Sequence, residues 1–541
     1  MMTGPEAAQT SVPPSKPEVI DAGLRSQNHY RKALPRWRYE LRQKLIPLVR
    51  WETPHLAAFQ QWARSPFFDS YFAITANLGT HTCFMIGLPV LFWCGFEAFG
   101  KGLVHMLAGG VFFSGFIKDL LSLPRPLSPP LQRITMSGSA ALEYGFPSTH
   151  STNALSVAVY SILTLWSPEN TFSDSTKLTL ELLCYLYAAS IVIGRLYCGM
   201  HGFLDVICGS LLGVALGWLE FSYGAWLDQY MYQSSWIAPV LSTLIIIVLV
   251  RVHPEPADDC PCFDDSVSFA GVVIGLEFGT WCYGRAGFDV RAPIHQADYV
   301  AEIMALGWPV VVARLGFGVA VILVWREVTK PTMLHVLPHV FRFIEKTGLI
   351  LPRRFFTSAS QYKYVPDGAQ LDTVFPRVSD IQDVVHTIRH PGRGRSVSVG
   401  PQSAADAYET IAYRERRRRE SVDMDSTSSP NMRLENAAPT NTDRGTVAVS
   451  SGSEVPAPVN VEAVRNERVG SSDDDISDRE VFSRLAKSRV RYDVEVVTKL
   501  VVYTGIGWLS SWTIPLLFEA IGLGLYPSPV LQMVMPQALD A

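Results

Sequence analysis

Three short segments between residues 118 and 205 combine cationic side chains with histidines and a carboxylate. In the first, Lys118 and Arg125 stand seven residues apart, and Pro124 and Pro126 flank the arginine. The prolines force the chain out of the preceding apolar helix into a loop. Two cations at one place can neutralise phosphate oxygens, Arg through its planar fork and Lys as a point charge. We therefore expect this segment to bind phosphate.

The second segment is Pro147-Ser148-Thr149-His150, which stands just before an apolar run. The backbone N–H groups at a helix N-terminus favour a bound phosphate, and Pro is common at such a start. His150 would then lie beside the ester oxygen. A single histidine at a membrane surface is more often a polar anchor than a catalyst, so its catalytic interpretation depends on the other two segments.

The third segment runs from Arg195 to Asp205. His201 and Asp205 are four residues apart, so on a helix they would share a face and the carboxylate would hold one ring nitrogen. That arrangement predicts an oriented, activated nucleophile. Arg195 precedes His201 by six residues across a short turn that contains Cys198 and Gly199, and it can reach the same phosphate.

The elements that must position these segments are predicted to be membrane-spanning helices. Charged residues make up only 18% of the chain, against roughly 25% in soluble proteins, and mean hydropathy is positive. A helical span needs roughly 20 mainly apolar residues. The composition predicts an all-α, polytopic helical bundle with about nine spans. The predicted spans lie at about 78–98, 101–121, 151–166, 177–195, 202–222, 235–251, 267–284, 305–325 and 496–524.

Counting these spans predicts that the three segments meet. The first segment ends the second span, the second begins the third span, and the third joins the fourth span to the fifth. All three then emerge on one face of the membrane. Their convergence favours a catalytic site over a structural polar cluster.

The remaining chain divides by composition. Residues 1–60 are basic, and Trp37, Leu41, Leu45 and Leu48 recur at helical spacing, which predicts an amphipathic helix that lies either in the membrane interface or against the protein itself. The segment 365–493 is rich in Ser, Arg and Asp and is predicted to be disordered. Its serines beside basic or acidic runs suit kinases, but a disordered loop with incidental sites is the favoured interpretation. The predicted domains are 1–60, 61–325 (membrane domain), 326–364 (juxtamembrane segment), 365–493 and 494–541 (last span and tail).

Two charges within predicted spans, Glu277 and Arg314, are costly unless they are paired. If their spans are antiparallel neighbours, both side chains lie at a similar depth, and we expect them to pair as a structural tie, although a transporter would also place charges there. The eight cysteines follow neither a disulfide nor a zinc pattern and are expected to be free thiols.

Written as patterns, the segments are Lys-x6-Arg-Pro, Pro-Ser-x-His and Arg-x5-His-x3-Asp. These resemble the three signature motifs of the type 2 phosphatidic acid phosphatase superfamily. The surrounding stretches, Glu143-Tyr-Gly-Phe-Pro-Ser-Thr-His150 and Arg195-Leu-Tyr-Cys-Gly-Met-His201-Gly-Phe-Leu-Asp-Val206, are similar to its sphingosine-1-phosphate phosphatase branch, which includes fungal long-chain-base phosphate phosphatases. The resemblance covers about residues 50–325 and implies a core unit of six helices.

The resemblance implies a role for each site residue. His201 attacks phosphorus and forms a phosphohistidine, Asp205 orients it, and His150 protonates the departing alkoxide and then activates water. The residues implied to bind the phosphate are Lys118, Arg125, Ser148, Thr149 and Arg195. Neither a metal nor another cofactor is implied, because cations and N–H groups supply the charge stabilisation.

Two positions depart from the family pattern. Thr149 replaces the usual Gly of the second motif, which this branch tolerates. Gly194 stands where a Ser usually precedes Arg195. The missing hydroxyl predicts lower phosphate affinity rather than inactivity, because backbone donors can take its place. Higher turnover or affinity in Gly194→Ser would show that the hydroxyl matters.

The expected function is removal of phosphate from sphingoid base 1-phosphates by a multi-pass protein of the endoplasmic reticulum membrane. The expected partners are that substrate and membrane lipid, with no nucleic acid. The alternatives are a broader lipid phosphate (phosphatidic acid) phosphatase and a non-catalytic transporter or scaffold that retains the pocket. The side of the membrane stays open, since the basic N-terminus and the Arg-rich loop predict a cytosolic site while the family implies a lumenal one.

Overall fold

Helices form almost all of the described chain. The computed structural model describes residues 27–75, 81–127, 130–134, 143–257, 260–285, 307–348, 356–365 and 491–523. In chain order the helices are α1 (Gln27–Ala33), α2 (Arg36–Ala63), α3 (Pro66–Thr75), α4 (His81–Trp93), α5 (Glu97–Leu121), α6 (Thr149–Leu165), α7 (Asp174–Tyr197), α8 (Phe203–Gln233), α9 (Ile237–Val252), α10 (Cys262–Arg285), α11 (Trp308–Lys346), α12 (Val494–Trp508) and α13 (Ile514–Ala520). A π-helical turn, Leu509–Thr513, joins α12 to α13.

Five of these helical segments are long and apolar enough to cross a membrane: α5, α7, α8, α11 and the continuous stretch from α12 to α13. The α9 helix is shorter but also apolar. The all-α fold and the multi-pass membrane character are therefore confirmed. Each predicted span overlaps a helix, while the count of about nine crossings stays a prediction.

The α5 helix lies at the centre of the packing and contacts α6, α8 and α10. The α6 and α8 helices approach closely because Gly209, Gly213 and Gly217 repeat every four residues along α8. A Cβ atom at any of these glycines would meet the α6 backbone, beginning at Ser148. Small residues on one face allow such close helix contact, and here they hold the start of α6 against the start of α8.

The α2 helix is docked onto the protein by its basic residues. Arg38 donates through Nε to the Leu120 carbonyl at 2.8 Å, and Arg42 donates through Nε to the Ser122 carbonyl at 2.9 Å. Both arginines are buried, whereas Trp37 is 57% exposed. These contacts favour the docked alternative. The predicted boundary at residue 60 falls inside α2, since this helix continues to Ala63.

The predicted pair between Glu277 and Arg314 is wrong. Glu277 contacts a lysine and a histidine of α5 instead, with Oε2 3.3 Å from Lys101 Nζ and Oε1 2.7 Å from His105 Nε2. The guanidinium of Arg314 donates to two backbone carbonyls, those of Leu523 at 2.6 Å and Trp93 at 3.2 Å. A similar depth in two helices does not determine the direction in which each side chain points.

The predicted 365–493 loop falls largely on residues 366–490, which lie outside the described residues. Its two edges are close in space, because Val365 and Val494 are buried in one apolar cluster and Thr357 forms a β-bridge with Tyr492. The expectation of free thiols fails for one pair, since Cys260 and Cys262 are joined by a disulfide. Five of the other cysteines are free: Cys94, Cys184, Cys198, Cys208 and Cys282.

Candidate active site

Arg125 connects the three segments. Its Nε donates to the Glu143 carbonyl at 2.9 Å, and its NH1 donates to the Met200 carbonyl at 2.5 Å. The same NH1 lies 3.0 Å from Nε2 of His201. The loop after α5 is thereby tied to the loop before α6 and to the turn before α8. The predicted convergence of the segments is present in the structure.

His201 is fully buried, and its two ring nitrogens have different partners. Nδ1 lies 2.9 Å from the Gly145 carbonyl oxygen, which can only accept, so Nδ1 bears the hydrogen. Nε2 then presents its lone pair to Arg125. Burial lowers the pKa of His201 well below its usual value, and the charges of Arg125 and Lys118 lower it further. A neutral imidazole with a directed lone pair is the form that a nucleophile requires.

Asp205 supports His201 differently from the expectation that both share a helix face. The α8 helix begins at Phe203, so His201 precedes it. The Oδ2 atom of Asp205 accepts from the Gly202 N–H at 2.8 Å and lies 3.6 Å from His201 Nδ1. Asp205 thus caps the helix that follows the histidine and adds a negative charge near the ring.

The turn that presents His201 depends on Gly199. This residue has φ +62°, a left-handed conformation that glycine adopts without steric cost. A Cβ there would lie 2.9 Å from both the Gln132 carbonyl oxygen and Gln60 Nε2. Close packing and backbone conformation therefore both favour glycine at this turn.

The second segment forms the start of α6. The helix begins at Thr149, and Ser148 is its N-cap. The Ser148 Oγ accepts from the Ser151 backbone N–H at 3.3 Å, and the Thr149 hydroxyl is 2.8 Å from that of Ser114. Both hydroxyls already have protein partners. Backbone N–H groups of this helix start are therefore better placed than these side chains to contact a phosphate.

Arg195 lies in the last turn of α7 and is only 5% exposed. Its Nε is buried and has no hydrogen-bond partner within the described part of the chain. A buried guanidinium with unused donors is suited to an anionic ligand. His150, together with Lys118 and Thr149, lines a small pocket.

Glu143 is a site residue that the sequence analysis did not assign. Its Oε2 is 2.8 Å from Lys118 Nζ and 3.4 Å from Arg125 NH2. Burial alone would raise the pKa of the Glu143 carboxyl, but the charges of Lys118 and Arg125 outweigh burial and lower it to about 2. The carboxylate therefore occupies the place between two cations that a phosphate would need. In the sequence, only its place in the branch-specific stretch before His150 distinguishes this glutamate from other acidic residues.

The α2 helix also contributes to the site, although its sequence contains no motif. Glu52 accepts from the Leu204 N–H at 3.0 Å, in the first turn of α8. Gln60 donates to the carbonyls of Tyr197 at 2.8 Å and Gln132 at 3.0 Å. These contacts fix both sides of the turn that presents His201.

The structure also bears on the position of Gly194. A Cβ there would lie 3.0 Å from Cδ1 of Phe72, whose ring packs against Tyr197 at 4.7 Å between centroids. A serine side chain would start toward this aromatic cluster. The structure therefore gives no reason to expect a gain in turnover or affinity from Gly194→Ser.

Comparison with known proteins places this geometry in a family. A model of the PAP2 superfamily matches residues 99–228, from α5 to α8. A dihydrosphingosine 1-phosphate phosphatase of Schizosaccharomyces pombe is 40% identical over 329 residues, which are 60% of this chain and 78% of that protein. The chain belongs to the PAP2 superfamily. No solved structure matches it.

Other relatives agree with membership of the PAP2 superfamily. A dihydrosphingosine 1-phosphate phosphatase of Saccharomyces cerevisiae is 33% identical over 321 residues, 59% of this chain and 76% of that protein. The human sphingosine-1-phosphate phosphatase 2 is 24% identical over 314 residues, 57% of this chain and 76% of that protein. The PAP2 match contains all three motif segments, whereas Glu52 and Gln60 precede it.

Proposed function

We propose that this chain is a membrane lipid phosphatase that removes the phosphate from sphingoid base 1-phosphates. The observation that supports it best is the neutral imidazole of His201, whose Nε2 faces Arg125 at 3.0 Å. The substrate class follows from the relatives, two of which are named dihydrosphingosine 1-phosphate phosphatases.

In the first step Nε2 of His201 attacks phosphorus, an N–P bond forms, and the P–O bond to the lipid breaks. Burial and the charge of Arg195 lower the pKa of His150 in the free site, but the negative phosphate of the bound substrate stabilises its imidazolium form, which donates a proton to the departing alkoxide oxygen. Arg125 and Lys118 stabilise the charge that develops on the phosphoryl oxygens. Nδ1–H stays bonded to the Gly145 carbonyl, so the ring keeps its orientation.

In the second step the deprotonated His150 takes a proton from water, and the water oxygen attacks phosphorus. The N–P bond breaks, His201 returns to its neutral form, and inorganic phosphate leaves. Arg195 is buried at the end of α7 and binds the phosphoryl oxygens in both steps. The proton that His150 gave to the alkoxide is thus recovered from water.

The endoplasmic reticulum membrane is the proposed location, and it rests on the resemblance to the sphingosine-1-phosphate phosphatase branch. Kinases are proposed as further partners for the Ser-rich segment at 365–493, on its sequence alone. Accessibility of a cysteine introduced near the site, measured in sealed microsomes, would assign the side of the membrane.

The test is phosphate release by the purified protein from dihydrosphingosine 1-phosphate and from phosphatidic acid. We expect faster release from the sphingoid base phosphate and none in His201→Ala. His55→Ala is the matched control, because His55 is exposed on α2 and its ring packs beside the Trp51 ring. Equal rates on both lipids would support a broader lipid phosphatase. Unchanged release in His201→Ala would contradict the proposal.

A further inference from the structure

The cavity that His150 lines contains acidic and amide groups as well as Lys118. Lys118 and His150 line it together with Glu143, Asp265 and Asn153. A site for an ordinary phosphate ester needs positive charge and hydrogen-bond donors. Carboxylates beside that phosphate would repel it, so their presence points to a positively charged group on the same ligand.

Glu143 is the carboxylate most directly affected when a phosphate binds. Its carboxylate is held by Lys118 at 2.8 Å and Arg125 at 3.4 Å. When a phosphate binds these two cations, the Glu143 carboxylate, whose side chain is only 16% exposed, loses partners, and a charge that is largely withdrawn from water and has no partner is costly. A ligand that brings its own cation next to the phosphate removes that cost. A phosphate without a neighbouring cation does not.

Asn153 is a further polar residue of the cavity, and its amide oxygen lacks a hydrogen-bond donor among the described residues. It lies on α6 one turn after His150 and is 4% exposed. Its Oδ1 is buried and has no hydrogen-bond partner within the described ranges. Because Oδ1 is an acceptor, the missing partner is a donor such as a hydroxyl or ammonium group. Asn153 lines the cavity with Oδ1 placed against Gly110 of α5, and a rotation of its side chain would present this acceptor to a ligand.

We propose that Glu143 and Asp265 bind the ammonium group of the sphingoid base and that Asn153 accepts a hydrogen bond from its neighbouring hydroxyl. This inference rests on the proposed function. A sphingoid base 1-phosphate bears the phosphate ester on its first carbon, the ammonium on the second and a hydroxyl on the third. The three groups are adjacent in the ligand, and Lys118, the two carboxylates and Asn153 line one cavity.

Under this proposal, the ammonium charge of the lipid determines whether the site accepts it as a substrate. Phosphatidic acid has no ammonium, and N-acylation of a sphingoid base 1-phosphate converts its ammonium into a neutral amide. Both lipids would leave the Glu143 carboxylate unpaired beside their own phosphate. Repulsion of competing ligands is a common source of specificity, and the same carboxylate attracts the proposed substrate.

The experiment compares kcat/KM for dihydrosphingosine 1-phosphate, its N-acyl derivative and phosphatidic acid. We expect Glu143→Gln to reduce the preference for the free amine by about tenfold or more, since a charge-assisted hydrogen bond is lost. Asp265→Asn should reduce it in the same direction. Glu181→Gln is the matched control, because Glu181 on α7 bonds Trp166 and Tyr185 at the surface.

The outcomes separate this inference from the proposed function. If the wild-type protein releases phosphate from none of the three lipids, the proposed function fails. If it is active and both variants lower all three rates in parallel, Glu143 and Asp265 are structural and the inference fails. If Glu143→Gln does not fold, the ratio in Asp265→Asn decides: an unchanged ratio overturns the inference.

Discussion

The Nε2 atom of His201 lies 3.0 Å from the NH1 atom of Arg125, while Nδ1 is bonded to the Gly145 carbonyl at 2.9 Å. One nitrogen therefore fixes the ring and the other offers its lone pair where a phosphate would bind. The arginine that stabilises the neutral ring is also positioned to bind the phosphoryl oxygens. Substrate binding would draw its N–H groups from Nε2 to the phosphate.

The acid limb of the pH–rate profile tests this relationship. An ordinary histidine titrates at about pH 6.5, and burial together with Arg125 and Lys118 lowers the pKa of His201 well below that value. The nucleophile thus stays neutral as pH falls through 6.5. We expect kcat/KM to fall with a midpoint below about pH 6.5.

The variant Arg125→Gln distinguishes titration of His201 from titration of the substrate, whose phosphate has a pKa of about 6. Arg125→Gln removes one cation that depresses the pKa of His201, so the midpoint should move to higher pH while the rate falls. Substrate titration is the same for both proteins. An identical acid limb in both would show that His201 does not determine it.

Glu52 is predicted to be a positioning residue. Its carboxylate accepts from the Leu204 N–H at 3.0 Å, and Glu52→Ala would leave that N–H without this partner. Loss of a helix cap costs about 1 kcal/mol and would loosen the turn that presents His201. We expect a lower melting temperature and a lower kcat with little change in KM. Glu52→Gln keeps an acceptor oxygen and should restore most of both, whereas equal damage in Gln and Ala would exclude the hydrogen bond as the cause.

Gly194→Ser is expected to destabilise the protein without improving KM. The new Cβ would lie 3.0 Å from Cδ1 of Phe72, and overpacking of a buried site typically costs about 1–3 kcal/mol. Gly194→Ala should lower the melting temperature by a similar amount, because the Cβ is common to both. A lower KM in the serine variant alone would restore the role of the hydroxyl that the family pattern implies.

The sequence was sufficient to predict that the three motif segments meet. Apolar runs of adequate length determine how many helices separate Lys118, His150 and His201, and that number determines the face on which each emerges. The start of α6 near Thr149 could also be predicted from the sequence, because Pro147 and Ser148 are typical residues of a helix start.

Other features depend on geometry that spacing alone does not determine. The four-residue spacing of His201 and Asp205 predicted a shared helical face, but α8 begins only at Phe203. The position of Glu143 depends on the path of the loop between α5 and α6. Glu277 and Arg314 lie at similar depth by sequence, yet the rotation of each helix about its axis decides their partners.

The most direct test of the proposed phosphohistidine mechanism is to trap the phosphoenzyme. The protein is mixed with dihydrosphingosine 1-phosphate labelled in the phosphate, quenched in alkali, which preserves phosphohistidine, and digested. We expect label on the peptide that contains His201, with neither label nor turnover in His201→Ala. Turnover that persists in His201→Ala, or label on a different residue, would contradict it.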